Sequence, residues 1–71
     1  MKGSVLHFII QTNQGCIVGD NGKMYRFYGS NWNLNTQPKQ GIRVDFDIKD
    51  GGYEAILIYE VPTNFRKQNQ P

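Results

Sequence analysis

The chain has 71 residues, a formal net charge of +2 and one cysteine, Cys16. That leaves room for one small domain and excludes disulfide bonds and cysteine-ligated metal centres. His7 is the only histidine, so a histidine-rich metal site is excluded too. Up to residue 60, six basic residues (Lys2, Lys23, Arg26, Lys39, Arg43, Lys49) balance six acidic ones (Asp20, Asp45, Asp47, Asp50, Glu54, Glu60), and the excess comes from Arg66 and Lys67. Binding to a polyanion draws on phosphate neutralisation by Lys and Arg, so a neutral body implies weak nucleic-acid affinity unless its cations share one face. A lone thiol fits a reducing compartment, and the expected location is the cytoplasm.

Gly, Asn, Asp and Pro cut the chain into short apolar segments, the pattern of an all-β barrel or sandwich. The first, residues 4–11, follows Lys2 and is too short for a signal-peptide core or a membrane span, so it reads as a strand. Thr12-Asn13-Gln14 turns the chain into a second strand over 15–19. Asp20-Asn21-Gly22 is a hairpin signal, because Asn-Gly supplies positive φ angles, and residues 23–28 form the third strand. An irregular stretch, 29–40, carries one expected turn of 3₁₀ helix around Ser30-Asn31-Trp32. In the fourth strand, 41–48, Ile42, Val44, Phe46 and Ile48 alternate with Arg43, Asp45 and Asp47, so one face is core and the other wet. A loop at 49–52 leads to the fifth strand, 53–59, which Pro62 ends. There Ile56 and Ile58 face the core and Leu57 and Tyr59 point outward, unless a bulge changes the phase. The polar residues 61–71 read as a disordered tail or linker after a barrel over 1–60. Closing five strands into a barrel removes exposed sheet edges and encloses a core without disulfides.

Met1-Lys2-Gly3-Ser4-Val5-x-x-Phe8, Gly15-Cys16-Ile17, Gly41-x-x-Val44-x-Phe46-Asp47 and Ala55-Ile56-x-Ile58 occur in this order. In that order and spacing the chain resembles the cold-shock domain, a five-stranded barrel of OB type, over residues 1–59. The resemblance implies binding of single-stranded nucleic acid on aromatic side chains from strands one to three, where stacking contributes roughly 1–3 kcal/mol per base. Most of that platform is replaced here. His7 takes the position of a surface aromatic, Gln14 and Cys16 replace two more, and Met24-Tyr25-Arg26-Phe27-Tyr28 replaces the second binding motif. Strand alternation turns Tyr25 and Phe27 inward and leaves Arg26 and Tyr28 outward, so the face holds His7, Cys16, Arg26 and Tyr28. Such a platform suits about one or two stacked bases. The stretch 19–32, with Gly19-Asp20-Asn21-Gly22-Lys23, Tyr25, Phe27, Gly29-Ser30 and Trp32, is also similar to the N-terminal module of some small bacterial membrane proteins, in which the tail is a tether.

Each singled-out residue has a plainer role to weigh. Trp32 reads as a plug closing one end of the barrel rather than a stacking platform. Tyr28 is equally a ligand contact or ordinary strand surface, and Arg26 either meets a phosphate or base or is simply solvated. Histidine is the side-chain type suited to a switch of charge at physiological pH, yet most lone strand histidines such as His7 have no function, and Cys16 has no activating neighbour in the sequence. Leu57 and Tyr59 either pack on the first strand or form an apolar partner surface. No catalytic motif, carboxylate pair or phosphate loop is recognisable. The expectation is therefore a non-enzyme without cofactor, metal, small-molecule substrate or transmembrane segment. It binds single-stranded RNA or DNA weakly through His7, Arg26, Tyr28, Lys2 and Lys23. The alternative is a protein-interaction or regulatory module using Leu57 and Tyr59, without nucleic-acid binding.

Overall fold

The computed structural model describes residues 1–62; most of the expected tail, with Arg66 and Lys67, lies outside the described residues. Five strands follow in sequence: β1 (Lys2–Ile9), β2 (Gln14–Gly19), β3 (Met24–Tyr28), β4 (Arg43–Ile48) and β5 (Ala55–Glu60). A 3₁₀ turn, Gly29–Asn31, follows β3. The strands form one antiparallel sheet in the order β3-β2-β1-β4-β5. The chain is thus all-β with five strands, as the segment spacing implies. The edge strands β3 and β5 approach each other at an isolated parallel bridge between Arg26 and Glu54, where the Arg26 N–H donates to the Tyr53 carbonyl at 2.8 Å. A second bridge joins Trp32 to Ile58, and the Asn33 N–H donates to the Ile58 carbonyl at 2.9 Å. No continuous ladder joins the two edges.

The core is a single cluster of Val5, Ile17, Tyr25, Phe27, Val44, Phe46, Ala55 and Ile58, with Phe8, Trp32, Leu34 and Ile42 packed around it. Burying a side chain such as Phe27 contributes roughly 1.5–3 kcal/mol. Phe27 is fully buried. Its ring stacks on Phe8 (centroids 5.7 Å apart, planes at 18°) and on Trp32 (5.7 Å, 25°). The ring needs Gly15 beneath it, since a Cβ there would lie 2.5 Å from Cε1 and Cζ of Phe27. Tyr25 is the one core side chain with a hydroxyl, and that group accepts a hydrogen bond from Asn21 Nδ2 at 2.8 Å, so the polar end stays satisfied at the rim.

Three details depart from simple alternation. The β1–β2 register shifts between Val5 and His7, which lets both Val5 and Phe8 turn toward the core three residues apart. The β4–β5 register shifts between Asp45 and Asp47, and Leu57 takes φ 51°. The bulge changes the phase of β5: Ala55 and Ile58 are buried, Ile56 is only half-buried, and Leu57 and Tyr59 point out. Ile48, expected in the core, is 37% exposed, because β4 ends there beside the loop. The β2–β3 hairpin uses positive φ at Gly22 alone, not at Asn21. The Gly19 N–H donates to the Lys23 carbonyl at 2.8 Å across Asp20, Asn21 and Gly22, and a left-handed glycine closes such a loop with strand twist.

Outside the core, Asp20 in this hairpin accepts a bidentate pair from Arg43 (Nη1 to Oδ1 2.8 Å, Nη2 to Oδ2 2.9 Å), while Arg43 Nη1 also donates to Ser4 Oγ at 3.1 Å. The hydrogen bonds from Arg43 hold the Asp20 carboxyl below its usual range, helped by the charges of Arg43 and Lys2, and the same bonds raise Arg43.

Two outcomes are expected. Gly15→Ala costs about 1–3 kcal/mol of stability by overpacking against Phe27, read from urea unfolding; an unchanged midpoint would show that the ring does not occupy this slot. Asp20 titrates below the ordinary aspartate value of about 3.9, read from its carboxyl carbon by NMR. Because its folded value is depressed, its contribution to stability is present above that ordinary value and is lost as pH falls through the folded one. Arg43→Gln returns the midpoint toward the ordinary value; a midpoint indifferent to Arg43 would contradict the pairing.

Candidate nucleic-acid interface

Inward placement of Tyr25 and Phe27 forces their neighbours to the other side of the sheet. Arg26 is exposed and Tyr28 half-buried on that outer side. Strand register then assembles the face. His7 pairs with Cys16, and Cys16 with Arg26, so these three form one row across β1, β2 and β3. Ile9, Gln14 and Tyr28 form the next row. The Arg26 guanidinium carbon stands 5.9 Å from the centre of the Tyr28 ring, within cation–π range. Four of the sequence-predicted face residues, His7, Cys16, Arg26 and Tyr28, are therefore adjacent. Lys2 and Lys23 are not among them. Lys2 opens β1 next to the Asp20–Arg43 cluster, and Lys23 closes the hairpin with its N–H donated to Asn21 Oδ1 at 3.0 Å. Both cations border the face at its hairpin end. Arg43 is spent on Asp20.

The strands of this face, KGSVLHFI, QGCIVG and MYRFY, contain no carboxylate. Arg26, with Lys2 and Lys23 at the margin, is the charge of these strands, while Asp45, Asp47 and Glu60 gather along β4 and β5; Lys49, Asp50 and Glu54 mix both signs beside Arg26 where the β4–β5 loop meets β3. Burial raises the Cys16 thiol above its usual value, against a smaller lowering effect of the backbone hydrogen bond with Tyr25. Cys16 stands as a small side chain in the middle of the row, its thiol held toward the protonated form.

The face runs into a cleft of about 550 Å³ lined by Cys16, Met24, Arg26, Lys49, Asp50, Gly52, Tyr53 and Glu54. The β4–β5 loop that forms its far wall is clamped by two hydrogen bonds, Lys49 N–H to the Glu54 carbonyl and Gly52 N–H to the Lys49 carbonyl, both 2.9 Å. Tyr53 is 62% exposed, with its ring 6.1 Å from that of Tyr25. One side of the ring leans on the core and the other is open. Sequence reasoning missed Tyr53, Met24 and Lys49 as parts of this surface. Tyr53 carries the same alternation parity as buried Ala55, and the only signal of its exposure is its position directly after Gly51-Gly52.

Trp32 sits at the opposite end of the sheet. Its ring packs on Phe27 and its Nε1–H donates to the Thr36 carbonyl at 2.6 Å. It lines a hollow of about 180 Å³ with Phe8, Ile10 and Pro38 among others, so it covers the core there and does not join the row of Arg26. No family model and no curated protein matches the chain. Among the described residues, no three His, Cys, Asp or Glu side chains are placed to hold a metal, and no helix is long and apolar enough to cross a membrane.

Proposed function

We propose that the chain is a cold-shock-like barrel of OB type that binds single-stranded RNA or DNA weakly and with little sequence preference, and that it is not an enzyme. The approach of β3 to β5 at Arg26 and Glu54 supports the barrel. The carrying observation is the outer face of β1–β3, which sets His7, Cys16, Arg26 and Tyr28 side by side on strands free of carboxylates. Single-strand binding needs a cationic track and open ring faces on which bases stack. Arg26 supplies the first and Tyr53 the second, with Tyr28 as a half-buried ring under the Arg26 guanidinium and His7 as a further flat ring. The OB architecture uses the same surface, the sheet face beside the β4–β5 loop. Lys2 and Lys23 extend the charge toward the hairpin. Few rings and few cations imply modest affinity.

Titration of isotopically labelled protein with an oligothymidine at low salt is expected to shift the amides of β1–β3 and of Tyr53. Affinity falls with salt at a slope of roughly −0.7 per phosphate contact, and Arg26→Ala lowers that slope by about one contact. Tyr28→Ala or Tyr53→Ala weakens binding by about 1–3 kcal/mol. Absence of any shift at low salt removes the proposal.

The alternative reading, a module without nucleic-acid binding, is favoured by a separate observation on β5. Leu57 is 48% exposed and Tyr59 53% exposed, beside Asp45, Asp47 and Glu60 on a groove of about 310 Å³. Leu57 holds its position at φ 51°, a conformation that costs a branched side chain about 1–2 kcal/mol. A strained, exposed leucine beside an exposed tyrosine supports a protein-interaction or regulatory module of the kind carried by the small bacterial membrane proteins. Leu57→Gly is then expected to raise the urea midpoint by relieving the backbone. A lower midpoint would assign the side chain to the fold itself.

A further inference from the structure

The cleft between β3 and the β4–β5 loop holds groups that a plain backbone-tracking surface does not need. Arg26 and Glu54 are direct partners across the isolated bridge, and both line the cleft. Among the described residues the ion pairs are Met1–Asp45 and Arg43–Asp20, so neither the Arg26 guanidinium nor the Glu54 carboxylate is engaged in one, and the guanidinium rests over the Tyr28 ring, an exposed contact that a base edge can replace. Tyr53, next to Glu54 in the chain, offers an open ring face in the same cleft. On a strand without guanine Arg26 meets the backbone phosphate, and the neighbouring Glu54 carboxylate has no donor to accept from. A carboxylate in a nucleic-acid cleft makes chemical sense when it accepts hydrogen bonds from a base edge.

Building on the strand binding proposed above, we propose that this cleft is a guanine subsite: the base stacks on Tyr53, Arg26 donates to O6 and N7, and Glu54 accepts from N1–H and the N2 amine. The choice of base follows from edge chemistry. Guanine carries a pair of acceptors, N7 and O6, directly beside a pair of donors, N1–H and the N2 amine. The acceptor pair suits a forked guanidinium, and the donor pair suits a carboxylate, which only accepts. Arg26 and Glu54, partners across the bridge on the rim of one cleft, supply that donor fork and that acceptor as neighbours. Adenine places its N6 amine where Arg26 donates and a bare N1 acceptor toward Glu54. Cytosine offers one amine next to an acceptor nitrogen. Thymine and uracil offer one N–H between two carbonyls. Each alternative leaves at least one like pair facing, and an unpaired polar group in a closed contact is costly. Asp50 stands on the same rim but on the exposed loop, outside the bridge.

The test compares an oligothymidine with the same oligomer carrying one central guanine, adenine, cytosine, hypoxanthine or 7-deazaguanine, using the amides of Arg26, Tyr53 and Glu54 as the readout. Guanine is expected to bind about five- to a hundredfold tighter than thymine. Hypoxanthine, which lacks the N2 amine, and 7-deazaguanine, which lacks N7, each lose part of that gain. Glu54→Gln narrows the ratio of guanine to hypoxanthine. Guanine no better than the other bases, on an oligomer that still shifts the β1–β3 amides, overturns the subsite and leaves strand binding intact. Guanosine monophosphate alone distinguishes the source of the base. If it shifts Tyr53 and Glu54 while no oligomer binds, the guanine site stands as a free-nucleotide site and strand binding falls. If neither nucleotide nor oligomer shifts these amides, both fall.

Discussion

The slot that Gly15 opens for the Phe27 ring governs the rest of the molecule. With no side chain at Gly15, the ring brings Cε1 and Cζ up against β2 and stacks on Phe8 and Trp32, tying β1, β3 and the segment after β3 into one stack. A core this small has few other large side chains, and loss of close packing at one of them is felt through the whole domain. The stack also has a consequence for the surface. Once Phe27 and Tyr25 are committed inward, the pleat leaves Arg26 and Tyr28 no choice but the outer side. The candidate interface is in this sense the reverse side of the core.

Charge is arranged by the same topology. β1, β2 and β3 lie together at one side of the sheet and contain no acid, while the aspartates of β4 and the glutamate ending β5 lie at the other. A formal balance of charges therefore coexists with an uneven spread along the sheet, although Asp50 and Glu54 bring acid to the cleft beside Arg26 and Arg43 opens β4, and local potential, not net charge, steers a charged partner. The bidentate Arg43–Asp20 pair removes one cation from the count available to a polyanion and fastens the β2–β3 hairpin to the start of β4. Both groups are well exposed, so the pair contributes register and local order more than stability.

Two register shifts separate this sheet from an idealised one. At β1 the shift brings Phe8 back to the core three residues after Val5. At β5 it does the same for Ile58 after Ala55, and the positive φ of Leu57 absorbs the extra residue. Bulges of this kind bend a sheet and re-aim side chains. The bulge at β5 exposes Leu57. The cleft at Tyr53 lies where the β4–β5 loop meets β3. The Leu57 surface and the Tyr53 cleft thus both sit where the regular ladder is interrupted, which is where side chains escape the strict inside–outside rule.

Much of this was legible from residue order alone. Alternation in β3 and β4 placed Tyr25, Phe27, Val44 and Phe46 inside and Arg26 outside, because a pleated strand with one wet face leaves a period-two record in its sequence. The five segments and the 3₁₀ turn near residue 30 were marked by Gly, Asn and Pro for the same local reason. Register leaves no such record. Which outward residue of β1 stands beside Cys16, where β5 gains a residue, and how Glu54 comes to lie opposite Arg26 all depend on pairing between segments distant in the chain. Pairing is decided by how the whole core packs, so the row of His7, Cys16 and Arg26 and the cleft with Tyr53 belong to the tertiary structure, while the sequence by itself determined the strands and the sides on which most of their residues fall.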